Sequence, residues 1–556
     1  MRSSRGGSAL PALAALGFYV AGAVLLFGRG VVASPATKVV GDAGADKTIF
    51  MWSFRWWPHA IAHGHDPFAA DVVWPLHGTD LAWAATAPLI SLLAFPLTAT
   101  AGAIATYNVA ALAAPALSAW SAYLLARYVV GAFWPSVVAG WLFGFSAYEV
   151  GHLVGHLQLV FSVFIPLLAL LVLKHLNRDL GETRFVVLLG LALAAEFLIS
   201  TEMYLDVLLV GAIALVAAAW LIPELRRRLR VTAVGTAIAT GCSLLLVSPY
   251  LWHAFVTAGV ESAPARAPFT ESADLANYLV PTRRIWLQLP RSHEIAHRFT
   301  TTGAERGAYL GVPLTIIVLM FLWQNRRSRS AWAVACTLVA VIVASVGARV
   351  HVAGHATVPA PWRMFATLPV TKTVLPTRFT LFVILIVAVL VAKWLADGRG
   401  RRAWLRWALT AVAIIFVLPN PANGLWSATA PNPLFFKTTA YERHIPRGAT
   451  VLVLPFGGAG WSLLWQAEDN FRYRLVDGHL GREVTPEEEP WRDVYFALGK
   501  GPTPPSVDQR LRAFLAAHHV AEIIVAAGAK PRVVRLVTQM GVKPMHAADV
   551  AIYRLP

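Results

Sequence analysis

Long apolar runs with few or no charges, separated by polar connectors, fill the chain as far as residue 419. They lie at 9–28, 102–127, 133–148, 155–173, 183–200, 203–222, 231–252, 307–323, 331–347, 377–395 and 403–419. Each is close to the ~20 residues that cross a bilayer as a helix, so the pattern predicts a polytopic α-helical membrane protein with about eleven spans. From residue 420 onward the pattern changes. ATVLVLP (449–455) and AEIIVAA (521–527) read as buried strands, 508–519 and 531–540 as amphipathic helices, and 550–554 as a closing strand. This predicts a transmembrane domain over 1–419 followed by a small α/β domain over 420–556.

Arginine and lysine set the orientation, because cytoplasmic connectors are enriched in them. The basic runs are Arg2/Arg5, Lys174/Arg178/Arg184, Arg226–Arg228/Arg230, Arg326/Arg327/Arg329 and Arg399/Arg401/Arg402. With all of them inside, residues 29–83 lie outside and Lys174 inside, which requires an odd number of crossings between them. Four apolar runs lie in that interval. The segment 86–98 is short and broken by Pro88 and Pro96, so it is assigned as a helix lying at the outer interface. The N-terminus is then cytoplasmic and the C-terminal domain extracytoplasmic, in a multi-pass plasma (inner) membrane protein. Residues 1–28 have the layout of a signal sequence, and the apolar run is long enough to remain as an uncleaved first helix.

Composition agrees with that class. Of 556 residues, 57% are hydrophobic and 14% charged, with a mean hydropathy of +0.58, against about 25% charged in soluble domains. The net charge of +17 sits largely in the connectors, where it sets orientation and meets anionic lipid. It does not indicate nucleic-acid binding. Cys242 and Cys336 fall inside apolar segments, so no disulfide framework is expected.

The polar residues that can carry chemistry collect on the outer side. The first outer loop, 29–101, contains GDAGADKTIFMWSFRWWPHAIAHGHDPF (41–68). Asp42 and Asp46 have two open readings, a general base or metal ligand and a helix cap ahead of KTIFMWSFRWW. Phe50 to Trp57 read as an interfacial anchor for this loop. His59, His63, His65 and Asp66 can supply metal ligands or simply suit the headgroup region. Glu149, His152 and His156 sit at the mouth of a span, the histidines at i,i+4 spacing. Glu196, Glu202 and Asp206 lie at the outer end of a helical hairpin, where acids pair or line a water-filled path. Arg283, Arg284, Arg291, Arg363 and Arg378 are unexpected in outer loops. They can grip phosphate or pair with Glu271, Asp274 or the C-terminal domain. LPFGGAGW (454–461) lacks the Lys-Ser/Thr of a phosphate loop and reads as a turn.

An outer acidic loop after the first span, an interfacial helix, polar outer rims and a C-terminal domain together resemble the GT-C glycosyltransferases, in particular actinobacterial-type members. The resemblance spans most of 40–400 and is carried by ADKTIFMWSFRWWPHAIAHGHDPF, VWPLHGTDLAWAATAPL, GFSAYEVGHLVGHLQL and LPTRF. It implies transfer of a hexose or pentose from a polyprenyl-phosphate-linked sugar donor to an extracytoplasmic acceptor, which is a glycan, glycolipid or protein. It assigns the first-loop carboxylate to Asp46 or Asp42, as base or metal ligand, with Asp46 favoured. It implies that arginines such as Arg378 hold the donor phosphate, and the outer-face positions of His152, His156, Glu202, Arg283 and Arg284 add these as substrate-binding candidates, with a divalent cation, Mg or Mn, compatible. The tandem acids frequent in the superfamily are absent from this loop. Two other readings are a transporter or flippase for lipid-linked saccharides and a non-catalytic cell-envelope membrane protein. Clustering of polar residues at one face, without a visible repeat, favours the enzyme over a transporter.

Overall fold

The structure is a computed structural model describing residues 9–257, 271–365, 374–398, 400–401, 403–480, 489–499, 501–502 and 504–556. Arg2, Arg5, Arg399 and Arg402, expected to be cytoplasmic, lie outside the described residues. The chain forms two compact units. One comprises Met1–Arg29, Ala111–Ser248 and Ala265–Trp426, and the other Gly30–Ala110, Pro249–Pro264 and Ser427–Pro556. The first outer loop therefore shares a unit with the C-terminal segment.

The first unit is mainly helical, with one hairpin in which Arg349–Val352 pairs antiparallel with His355–Pro359. Six helices among the described residues are long and apolar enough to cross a membrane: Leu10–Gly28, Ala103–Val130, Leu157–Leu176, Thr201–Leu221, Pro223–Leu246 and Pro376–Ala396. Gly311–Gln324, Arg329–Ser345 and Ala403–Val417 are shorter apolar helices. In lipid every backbone amide must bond within its own segment, which is why these runs form helices. The expected spans are not all continuous. The run 133–148 stops as a helix at Gly144 because Ser146 caps the next helix, Ala147–His152. The run 183–200 forms Glu182–Ile199 and carries Glu182, Arg184 and Glu196. Thr380–Ala396 is buried along most of its length and packs against Phe133–Gly144, Gly311–Gln324 and Arg329–Ser345. Tyr19, fully buried, donates to the Val137 carbonyl at 2.9 Å and fixes the first helix against Phe133–Gly144.

The second unit is mixed. Lys38–Val40 pairs antiparallel with Ser427–Thr429, and Asn108 clamps the first of these strands, accepting from Val40 N at 2.8 Å and donating to the Lys38 carbonyl at 2.7 Å. A five-stranded sheet runs Met545–Ala547, Val550–Arg554, Glu522–Val525, Thr450–Leu454, Arg474–Leu475 in spatial order. The first two pairings are antiparallel and the last two parallel. Helices Val507–Ala517 and Pro531–Thr538 contribute Leu511, Phe514, Val533 and Leu536 to its core. The first outer loop joins this sheet, since Val73 bridges Leu475 in parallel.

Contrary to the expected interfacial anchor, the aromatics of Asp46–Ala62 turn into the interior of their unit. Phe50, Trp52, Phe54, Trp56 and Trp57 are buried. Trp52 Nε1 donates to Gln466 Oε1 at 2.9 Å and Trp56 Nε1 to the Pro67 carbonyl at 2.9 Å. A buried indole needs a partner for its N–H, and this unit supplies two. The apolar helix Pro88–Ala101 instead exposes Leu92, Leu93 and Phe95.

Candidate functional site

The two first-loop acids have different surroundings. Asp42 closes its own turn, accepting from Gly44 N at 2.9 Å. Lys47, fully buried, donates to Asp42 Oδ1 at 3.2 Å, to the Asp42 carbonyl at 2.6 Å and to the Gly44 carbonyl at 3.2 Å. An ammonium has three donors, and these contacts use all of them. Burial lowers the Lys47 pKa, and Asp42 opposes that shift. Asp46 occupies the first turn of Asp46–Ala62, but the residue ahead of the helix is Ala45, and no side chain caps it. The Asp46 carboxylate is 49% exposed and lies 3.1 Å, Oδ1 to Nε2, from His479.

In the other unit, His152, His156 and Glu305 come together. Each offers one ligand atom, and these atoms lie within 4.8 Å of one another. His152 and Glu305 are buried. The two histidines face each other through Nδ1 at 2.9 Å, so at least one imidazole is neutral. His152 Nε2 stands 3.7 Å from Glu305 Oε2, and neither atom has a hydrogen-bond partner among the described residues. That spacing is too long for a hydrogen bond. It is close to the ~3.4 Å separating two ligands bound at ~2.1 Å to one tetrahedral cation. Burial pushes the His152 pKa down to about 3. Burial would raise Glu305, but the Arg378 guanidinium outweighs it and holds the carboxyl at about 2. Neutral imidazole beside ionised carboxylate is the protonation state a cation requires.

Local structure explains how these residues meet. Gly151 lies beneath the loop carrying Glu305. A Cβ there would stand 2.6 Å from the Ala304 carbonyl oxygen, so only glycine admits the approach. Arg306 braces the same loop through the Thr301 and Phe299 carbonyls, and Thr377 Oγ1 donates to the Glu305 carbonyl at 2.9 Å. Arg378 is buried between acids, donating from Nε and Nη2 to Glu305 Oε1 and from Nη1 to Glu202 Oε2. Its partners are therefore neither Glu271 nor Asp274. Glu202 also accepts from Leu375 N at 2.8 Å.

The remaining sequence candidates are placed elsewhere. Arg284 Nη1 donates to the Gly151 and Gly303 carbonyls, and Arg283, Arg291 and Arg363 are exposed. Glu149 is buried and bonded by Ser162, and burial drives its pKa well up. Glu196 and Asp206 are fully buried, and among the described residues neither carboxyl has a hydrogen-bond partner. Among the described residues, His59, His63 and His65 form no three-ligand group. His253 instead binds Asp80 at 2.9 Å and faces Asp66 at 3.5 Å. Glu305 and His479 were not anticipated. Glu305 had one usable signal, an acid amid the arginines of an outer loop. His479, in VDGHL, had none.

No protein-family model matches this chain, and no curated protein matches it. Solved structures do. The apo oligosaccharyltransferase of Archaeoglobus fulgidus is 12% identical, with a TM-score of 0.58 over 94% of this chain and 70% of that one. The same organism's AglB in complex with an inhibitory peptide and a dolichol-phosphate matches at 12% identity and a TM-score of 0.51, over 93% and 69%. ArnT from Cupriavidus metallidurans bound to undecaprenyl phosphate matches at 11% identity and a TM-score of 0.54, over 97% of both chains. The chain shares its fold with the oligosaccharyltransferase AglB and with ArnT, and six of its described helices are long and apolar enough to cross a membrane.

Proposed function

We propose that this chain is a membrane glycosyltransferase that moves a sugar from a polyprenyl-phosphate donor to an extracytoplasmic hydroxyl acceptor. The observation that carries the reading is the likeness to ArnT and AglB over nearly the whole chain, together with a half-exposed carboxylate at Asp46 in the first outer loop. Those neighbours were solved with undecaprenyl phosphate and dolichol-phosphate respectively, which supports a lipid-phosphate carrier here. The actinobacterial-type affinity rests on the sequence resemblance.

In this reading Asp46 accepts the proton of the acceptor hydroxyl as its oxygen attacks the anomeric carbon. The bond from that carbon to the phosphate oxygen breaks, and the electron pair leaves with the polyprenyl phosphate. A single displacement of this kind inverts the anomeric centre. Asp42, committed to its own turn and to Lys47, braces the loop. His152, His156 and Glu305 would hold a divalent cation, and their donor set of two imidazoles and one carboxylate favours Zn or Mn over Mg. When bound, such a cation supplies positive charge at that cluster. Arg378, expected on the donor phosphate, instead spends its guanidinium on Glu305 and Glu202 and keeps Glu305 in place, which leaves Arg283 and Arg284 as the arginines proposed for that phosphate.

Analysis of lipid-linked sugars and envelope glycans in cells lacking the chain tests this. Donor should accumulate while one glycan substituent disappears. Unchanged levels of both would contradict the reading.

A further inference from the structure

The glycine-rich segment LPFGGAGW (454–461) lacks phosphate-loop chemistry, but it has a specific neighbour. A Cβ at Gly458 would lie 3.3 Å from His479 Nδ1 and 3.4 Å from its Cε1, so the bare backbone forms the floor beneath the imidazole. Gly457 N donates to the buried Asp477 at 3.4 Å, linking this segment to the one carrying His479. Between Asp477 and His479, Gly478 has φ +135°, and a Cβ there would meet Val73 Cγ1 at 2.8 Å. No other residue fits that turn. On the far side, Trp461 Nε1 donates to the Ala43 carbonyl at 3.0 Å, tying the glycine segment to the loop that presents Asp46.

These contacts fix the ring's direction. His479 Nδ1 is buried against Gly458, whereas Nε2 meets Asp46 Oδ1 at 3.1 Å. With Nδ1 turned inward and Nε2 on Asp46, the imidazole presents no nitrogen to an acceptor and acts through the carboxylate. We propose that His479 is a positioning residue for the transfer reaction, held by the 454–461 glycine segment so that it aims the Asp46 carboxylate at the acceptor hydroxyl. This rests on Asp46 being the carboxylate that activates the acceptor. It gives the C-terminal segment a direct part in the reaction.

The test uses the full-length chain in detergent, with the polyprenyl-phosphate sugar extracted from cells lacking the chain as donor and the envelope glycan of those cells as acceptor. Asp46→Asn, His479→Ala and His479→Gln are compared for turnover, donor KM and melting temperature. His479→Ala should lower kcat by about 10- to 100-fold, by analogy with the loss on removing an outer-shell partner of a metal ligand, with donor KM unchanged. His479→Gln, which retains an N–H able to reach Asp46, should return kcat to within a few-fold of wild type. If Asp46→Asn abolishes turnover while His479→Ala keeps the wild-type kcat, the positioning role is overturned and the glycosyltransferase reading stands. If Asp46→Asn itself turns over normally, the Asp46 assignment fails and this inference with it. Should His479→Ala be unstable, the Gln variant decides: a stable Gln variant as slow as Asp46→Asn overturns the proposal, and one near wild type supports it.

Discussion

Arg378 donates to one carboxylate oxygen of Glu305 through two nitrogens, Nε at 3.3 Å and Nη2 at 3.0 Å. Its Nη1 meets Glu202, so one guanidinium joins two acids from distant parts of the sequence. Buried charges of this kind are stable only while every partner is present. Arg378→Ala should therefore cost about 3–5 kcal/mol, the range for breaking a buried ion pair. Arg378→Lys should recover only part of it, because a point charge cannot replace the planar fork. Thermal unfolding of the detergent-solubilised variants reads the difference. Equal melting temperatures for Arg378→Ala and wild type would contradict the geometry.

The His152–His156–Glu305 cluster should bind one equivalent of Zn or Mn after dialysis against either ion, measured by elemental analysis. His152→Ala, His156→Ala or Glu305→Gln should each remove that equivalent. Full metal content in all three variants would place the ion elsewhere.

Asp42 and Asp46 should separate by type of defect. Asp42→Ala withdraws one acceptor from the buried Lys47 and should destabilise the chain by about 1–3 kcal/mol, the cost of an unsatisfied buried donor. Asp46→Asn should cost no more than the ~0.3–1 kcal/mol of a first-turn acid, yet eliminate sugar transfer. Differential scanning calorimetry beside a transfer assay distinguishes them.

Asp477 provides a pH prediction. Burial raises its pKa to about 7, while Ser462 and the Gly457 amide pull the other way. The folded pKa therefore exceeds the ordinary carboxylate value. The protonated form contributes stability that is fully present below the unfolded pKa and lost as pH rises through about 7. Asp477→Asn, which mimics the neutral acid, should raise the melting temperature at pH 8 by several degrees and leave it nearly unchanged at pH 4. Equal effects at both pH values would contradict a buried neutral Asp477.

Much of the fold was legible because apolar run length and strand patterning are local properties. Positions 449–455, 521–527 and 550–554 enclose the strands Thr450–Leu454, Glu522–Val525 and Val550–Arg554. The site was less legible because its decisive contacts are long-range. His152 and His156 were visible as a pair, but Glu305 joins them from a loop about 150 residues away in sequence, a separation no periodicity encodes. The aromatic helix misled for a related reason. Tryptophans interleaved with charge suit a membrane interface, but Gln466 and Pro67, which satisfy Trp52 and Trp56, come from elsewhere in the same unit. Asp46 looked like a helix cap until Ala45 took that position.

Under the proposal, the chain transfers sugar from a polyprenyl phosphate through Asp46. The most direct test incubates the purified chain with the lipid-linked sugar fraction and acceptor glycan from cells lacking it, and follows release of free polyprenyl phosphate by mass spectrometry. Wild type should release it with matching loss of donor, and Asp46→Asn should not. No release by wild type, or equal release by Asp46→Asn, would contradict the account.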